Sequence, residues 1–182
     1  MSSCITTYTG KHFDPTQPEQ ELICIDDIAH ALSLLCRGNG HVRTFFSVGQ
    51  HCILCAKEAL SRGLSDRLAL AALLHDASEC YMSDVPRSFK KNLPEYQQQE
   101  KKLLDIIYIK YLGAGLSAEE EQQLKGIDDD LLWYDLKYLL NEEPEKPKPS
   151  IHIFVDHAVR PFQDVEKEYL MLFEQLSAQL HK

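Results

Sequence analysis

The sequence predicts an all-α protein, a single helical bundle spanning residues 1–182. Apolar residues recur at spacings of three and four along most of the chain, which is the period of an amphipathic helix. Serine, aspartate and proline stand where these segments begin, and glycine stands where several of them end. The chain has 182 residues and 44% of them are apolar, enough for one sizeable core.

The predicted elements follow from this periodicity. Residues 1–22 are expected to be irregular, because Gly10, Pro15 and Pro18 mark turns or extended chain. The first helix begins near Asp26 and stops at the glycine turn 38–40. Later helices are predicted at about 47–60, 66–80, 94–112, 118–140 and 162–180.

Residues 141–150 are too rich in proline for a helix and are expected to form an exposed loop. Residues 151–155 alternate between apolar and polar side chains, which predicts a short strand. The core is expected to span about residues 25–140, with the last helix, 162–180, packed on it.

Composition excludes several classes of function. The chain carries 28 acidic and 19 basic residues, a net charge of −9, so it would repel nucleic acid polymers. The sequence lacks an apolar run of 18 residues and a basic, apolar leader in residues 1–10, which predicts a cytoplasmic protein without a membrane partner. Its six cysteines are expected to be reduced thiols.

The sharpest chemical feature is the pair His75-Asp76, followed by Glu79. The three residues end an apolar helix and would share one face of it. Burying them without partners costs several kcal/mol, roughly, for each charge. A divalent cation would satisfy His75 and Asp76 and would leave Glu79 free for proton transfer.

Further ligands must come from other helices, and His51 and Asp128 are the candidates. Two imidazoles and two carboxylates leave positions open for water and substrate on an octahedral cation. The cofactor is therefore predicted to be one divalent metal ion, with Mn, Co, Ni, Mg, Fe and Zn all open.

This pattern resembles the HD superfamily of metal-dependent phosphohydrolases. The similarity extends over about residues 8–135. The run from His75 to Glu79, with Asp84-Val85-Pro86 and Lys90, is similar to bacterial 5′-deoxynucleotidases of that superfamily. The upstream segments 28–33, 36–41 and 46–48 resemble small HD proteins that include phage dATP triphosphohydrolases.

The resemblance implies a role for each matched residue. It implies that the metal ligands are His51, His75, Asp76 and Asp128. It also implies that Glu79 and Asp84 orient or deprotonate water, and that Arg43 and Lys90 contact phosphate. The expected substrate is a small phosphorylated molecule, a nucleotide or deoxynucleotide, cleaved by a 5′-nucleotidase or a triphosphohydrolase. The departures from the family pattern, Gly38, Gly49 and Cys52, leave the substrate open.

Several alternatives stay open at this point. His51 alone fits a packed core histidine, and Asp129 or Asp130 competes with Asp128 as the ligand. The pair Cys52 and Cys55 suggests zinc, although core thiols explain it better.

Other functions compete as well. These are a non-catalytic nucleotide-binding module and an HD hydrolase of another phosphoester, such as an alarmone. A two-metal site is disfavoured, because no histidine lies between Asp76 and Asp128. Apolar and aromatic helices, with the resemblance, predict a homo-oligomer.

Overall fold

The computed structural model describes residues 4–180 and confirms the all-α class. Within these residues the sheet is one antiparallel hairpin, in which β1 pairs with β2. Eight α-helices form the rest of the regular structure, apart from short 3-10 turns at Gln20–Leu22 and Arg37–Gly40. The elements are β1 (Ile5–Thr6), β2 (His12–Phe13), α1 (Ile25–Leu34), α2 (Val48–Ser61), α3 (Asp66–Leu74), α4 (Glu79–Met82), α5 (Arg87–Lys90), α6 (Pro94–Leu112), α7 (Ala118–Tyr138) and α8 (Phe162–Leu180). The ends of the predicted domain, 1–3 and 181–182, lie outside the described residues.

Serine side chains cap the N-termini of three helices, with Ser47 before α2, Ser65 before α3 and Ser117 before α7. The hydroxyl of Ser47 accepts from the backbone N–H of Gln50, whose side chain accepts from the Ser47 N–H in return. Ser117 and Glu120 make the same reciprocal pair at the start of α7. Each capping box satisfies two backbone donors that the helix itself leaves free. The first box places His51 in the first turn of α2, on its buried side.

The core lies between α1, α2, α3, α7 and α8. Tyr169 of α8 is fully buried, and its hydroxyl donates to the Leu73 carbonyl at 2.6 Å. The last helix therefore packs on the core. The core begins before residue 25, since Phe13 and Ile23 are also buried in it.

Local predictions were wrong at the end of α3 and in residues 1–22. The helix expected to run to Cys80 ends at Leu74, and the chain then turns: Ala77 N–H donates to Leu74 O and Glu79 N–H to Asp76 O. These bonds span three residues, the spacing of tight turns rather than of an α-helix. The region 1–22, expected to be irregular, contains the hairpin β1–β2.

The predicted strand at 151–155 is also absent from the structure. The backbone N–H groups of His152 and Ile153 donate to the buried carboxylate of Glu58 instead of to a neighbouring strand. The surrounding segment, residues 139–161, is held on the bundle by further bonds to its carbonyls. Trp133 Nε1 donates to Lys146 O at 2.9 Å, and Gln50 Nε2 donates to Ala158 O at 3.3 Å.

Among residues 4–180, no helix combines the length and the apolar character that crossing a membrane requires.

Candidate metal centre

The four predicted ligands lie together where α2, α7 and the end of α3 meet. His51 Nε2 is 3.2 Å from Asp128 Oδ1. His75 Nε2 is 3.2 Å from Asp76 Oδ2 and 3.9 Å from Asp128 Oδ1. Ligand atoms about 2.0–2.3 Å from one cation stand about 3–4 Å apart. The spacing of these nitrogen and oxygen atoms therefore suits ligands of a single metal ion.

The orientation of His75 also suits a ligand. Its Nδ1 lies 2.8 Å from the carbonyl oxygen of Ala72, to which it donates in the neutral imidazole. The proton then sits on Nδ1, and the lone pair of Nε2 points into the site. Nε2 is buried and makes no hydrogen bond of acceptable geometry among the described residues, although it lies 3.2 Å from Asp76 Oδ2. A buried polar atom without a partner needs an explanation, and a cation would supply one.

His51 is supported in a similar way by Asp135. The Nδ1 atom of His51 lies 3.2 Å from Asp135 Oδ2, a close ionic contact without hydrogen-bond geometry. Asp135 also accepts from Arg37 at 3.2 Å and lies 3.0 Å from His157 Nε2. Burial works to raise the pKa of Asp135, but His157 and His51 outweigh it and hold that pKa below its usual range. A carboxylate behind a ligand histidine is the usual support for such a ligand.

Asp135 is not among the site residues predicted from the sequence. A usable signal was present, because Asp135 follows Asp128 by two helical turns on the same face of α7.

Of the three consecutive aspartates, Asp128 is the one that faces the histidines. Arg87 pairs with both Asp128 and Asp129, but Asp129 turns its other oxygen to Lys125, whereas Asp128 turns Oδ1 to the histidines. Asp130 pairs with Arg62 at 2.8 Å. The geometry therefore favours Asp128 over its two neighbours as a ligand.

The two predicted proton-transfer residues line the same cavity. Glu79 is 5% exposed, and its Oε2 has no hydrogen-bond partner within the described part of the chain. Burial, followed by the charges of Asp76 and Asp84, raises the pKa of Glu79 well above its ordinary value. Burial likewise raises the pKa of Asp84. Both carboxyls therefore take up protons more readily than exposed ones.

The predicted phosphate contacts separate into two cases. Lys90 lines the cavity and pairs with Glu100 at 2.6 Å. Arg43 is exposed, its backbone N–H donates to Leu139 O, and it is not among the lining residues. Arg37 and Arg87 line the cavity in its place. Neither arginine is among the phosphate contacts that the family resemblance implies.

This cavity has a volume of about 610 Å³. Six carboxylates and three cations line it, so its charge is negative. A second cavity of about 310 Å³ shares Asp76, Lys90 and Asp128 with it. An anionic substrate would be repelled by the carboxylates unless a metal ion balanced them.

Two thiols complete the surroundings of the histidines. Cys55 Sγ is 3.4 Å from His51 Nε2. Ligand atoms of His51, Cys55 and His75 all lie within 4.8 Å of one another, and so do those of Cys52, His75 and Asp76. Both cysteines are fully buried, as expected for core thiols, but they also border the site. These groups could hold a metal ion.

Comparison with known proteins places the chain among bacterial relatives. No family model matches it. It is 36% identical over 143 residues to the uncharacterized protein YfdR of Escherichia coli strain K12, which covers 72% of this chain and 77% of YfdR. It is 32% identical over 127 residues to an uncharacterized protein of Rhodobacter capsulatus, covering 66% of this chain and 64% of that protein. On the first of these similarities, the chain belongs to the same family as YfdR of Escherichia coli.

Proposed function

We propose that this protein is a metal-dependent phosphohydrolase of the HD superfamily that cleaves a phosphoester of a nucleotide or deoxynucleotide. The observation that carries the proposal is the convergence of two histidines and two aspartates around the unpartnered Nε2 of His75. Burying several ionisable side chains together costs free energy of folding, and such clusters are typical of functional sites.

His51, His75, Asp76 and Asp128 would hold one divalent cation, with Mn, Co, Ni, Mg, Fe and Zn all compatible with nitrogen and oxygen ligands. When bound, the cation supplies Lewis acidity that activates water and neutralises phosphate charge. The donor set fits this role, because the negatively charged cavity needs a cation before it can accept an anion.

The protein's own residues divide the remaining work. Glu79, buried and without a partner at Oε2, accepts the proton of the attacking water, and Asp84 lies in the same cavity to orient that water. Arg37, Arg87 and Lys90 bind the phosphoryl oxygens and stabilise the charge that develops on them.

A nucleotide suits the cavity because part of its wall is apolar. Leu132, Leu136, Leu140 and Val42 form this part of the wall. A base or sugar can pack on this wall while its phosphate lies among the cations. The assay below distinguishes a monophosphate from a triphosphate substrate. It also distinguishes a nucleotide from another phosphoester such as an alarmone.

The test is hydrolysis by protein stripped of metal and then reloaded with each of the six cations. Nucleoside and deoxynucleoside mono- and triphosphates are assayed, and chromatography separates phosphate from triphosphate release. The Asp76→Asn variant should lose turnover, and the matched Asp130→Asn variant, away from the histidines, should keep it. If the protein binds metal but hydrolyses none of the phosphoesters, the result would favour a non-catalytic nucleotide-binding module. The homo-oligomeric state and the cytoplasmic location remain predictions.

A further inference from the structure

We propose that Cys55 donates a sulfur ligand to the metal centre, which then prefers a borderline cation such as Zn²⁺ or Co²⁺ over Mg²⁺ or Mn²⁺. The inference deepens the proposed function and rests on it, since it names an additional ligand of the same centre.

The geometry of Cys55 is that of a ligand. Its Sγ lies 3.4 Å from His51 Nε2, close to the separation of a sulfur and a nitrogen bound to one cation with bonds of about 2.3 and 2.1 Å. Cys55 follows His51 by one helical turn, so α2 presents both side chains on the same face. The thiol lies near both histidines, because ligand atoms of His51, Cys55 and His75 fall within 4.8 Å of one another.

A second observation points to a cation at this place. His75 Nε2 is buried, with the His75 side chain 8% exposed, and it lacks a hydrogen-bond partner in residues 4–180. A thiol in an ordinary core position packs as a small hydrophobe. Cys55 instead contacts Nε2 of the proposed ligand His51, at a distance that suits a thiol hydrogen bond as well as two ligands of one cation.

The chemistry of a sulfur–metal bond determines which cation the site prefers. As the sulfur–metal bond forms, the thiol proton leaves to solvent and a thiolate remains as the ligand. Thiolate is a soft donor and favours Zn²⁺ and Co²⁺, whereas Mg²⁺ and Mn²⁺ prefer oxygen. Cys52 is the competing donor, because it lies within reach of His75 and Asp76.

Cobalt titration of the full-length, metal-stripped protein tests the assignment. Wild type should develop visible d–d bands and a near-ultraviolet thiolate-to-cobalt charge-transfer band. Cys55→Ser should keep the d–d bands, lose the charge-transfer band and bind Zn²⁺ about tenfold or more weakly. Cys52→Ser should keep both sets of bands, and so should Cys24→Ser, a control distant from the histidines in which the thiol contacts Asp26.

Each other outcome overturns the proposal. If wild type shows the visible d–d bands but no charge-transfer band, the protein binds cobalt without a sulfur ligand. Loss of the band in Cys52→Ser alone would transfer the sulfur ligand to Cys52. Absence of all cobalt bands would reject the metal centre itself. X-ray absorption of the zinc-loaded wild type, which needs no variant to fold, should find one sulfur at about 2.3 Å.

Discussion

Asp135 Oδ2 lies 3.2 Å from Nδ1 of His51, while Nε2 of the same ring lies 3.2 Å from Asp128. The imidazole is thus held between two carboxylates of α7, one on each nitrogen. Asp135 is 4% exposed and also contacts Arg37 and His157. We therefore expect Asp135 to be a positioning residue, which would act on the proposed metal centre through His51.

Asp135→Asn should weaken metal binding by about 10- to 100-fold, since the amide cannot orient and polarise His51 as the carboxylate does. Isothermal titration with Co²⁺ and Zn²⁺ measures the change, and Asp156→Asn in the loop serves as the control. A lower melting temperature with unchanged metal affinity would reduce Asp135 to a structural contact.

Arg87→Gln should lower kcat/KM for the phosphorylated substrate by about tenfold or more, because a charged hydrogen bond to phosphate is lost. Arg87 lines the large cavity, whereas Arg43 lies outside it. The matched Arg43→Gln variant should therefore keep the wild-type value, although the sequence predicts a phosphate contact there. Equal losses in both variants would contradict the geometry.

Glu58→Gln should lower the free energy of unfolding at pH 7 by about 2 kcal/mol, because the buried carboxylate loses its charge-assisted bonds. Glu58 accepts from Arg62 at 2.8 Å and from the backbone of His152 and Ile153. Burial works to raise the pKa of Glu58, but the bonds from Arg62 and His152 outweigh it and lower that pKa.

The sign of the pH dependence follows from this lowered pKa. The stabilisation by Glu58 is complete above the unfolded value of about 4.3 and disappears as the pH falls through the lower folded value. Urea unfolding of both proteins between pH 7 and pH 3 should show their difference shrinking on acidification. A constant difference across that range would show that the carboxylate charge contributes nothing.

Gly49→Ala should destabilise the protein by about 1 kcal/mol or more, since overpacking of the core offsets the helical preference of alanine. A Cβ at Gly49 would stand 3.1 Å from Leu32 O and 3.2 Å from Ser33 N, both backbone atoms. Gly126→Ala in α7 meets no atom within 4 Å and should stabilise the protein by about 1 kcal/mol. Thermal unfolding of the two variants measures whether each substitution lowers or raises stability. A stabilised Gly49→Ala variant would mean that α1 and α2 move apart easily to accommodate the added methyl group.

Local signals in the sequence predicted most of the helices. The capping boxes at Ser47 and Ser117 and the glycine after Leu112 act within one or two turns, so they can be identified without the fold. The wrong predictions depended on distant partners. Alternation at 151–155 predicted a strand, but Glu58 binds that backbone instead.

Part of the candidate site could also be predicted from the sequence. His75 and Asp76 adjoin in the chain, so their chemistry is visible in the sequence. Asp135 could have been identified from its spacing to Asp128 along α7, whereas Arg87 contacts Asp128 only in the folded chain. Cys55 was interpreted as packing, because spacing along α2 alone does not reveal that His75 approaches the same face from α3.

His157 joins the proline-rich surface segment to this interior. It contacts Asp135, which contacts His51, so two successive contacts connect a loop to a proposed ligand. Surface loops diverge faster among homologues than the helices they connect. At the proposed metal centre, divergence in residues 141–161 would therefore change metal affinity while every proposed ligand stays in place, so relatives with identical ligands would not need to share a metal preference.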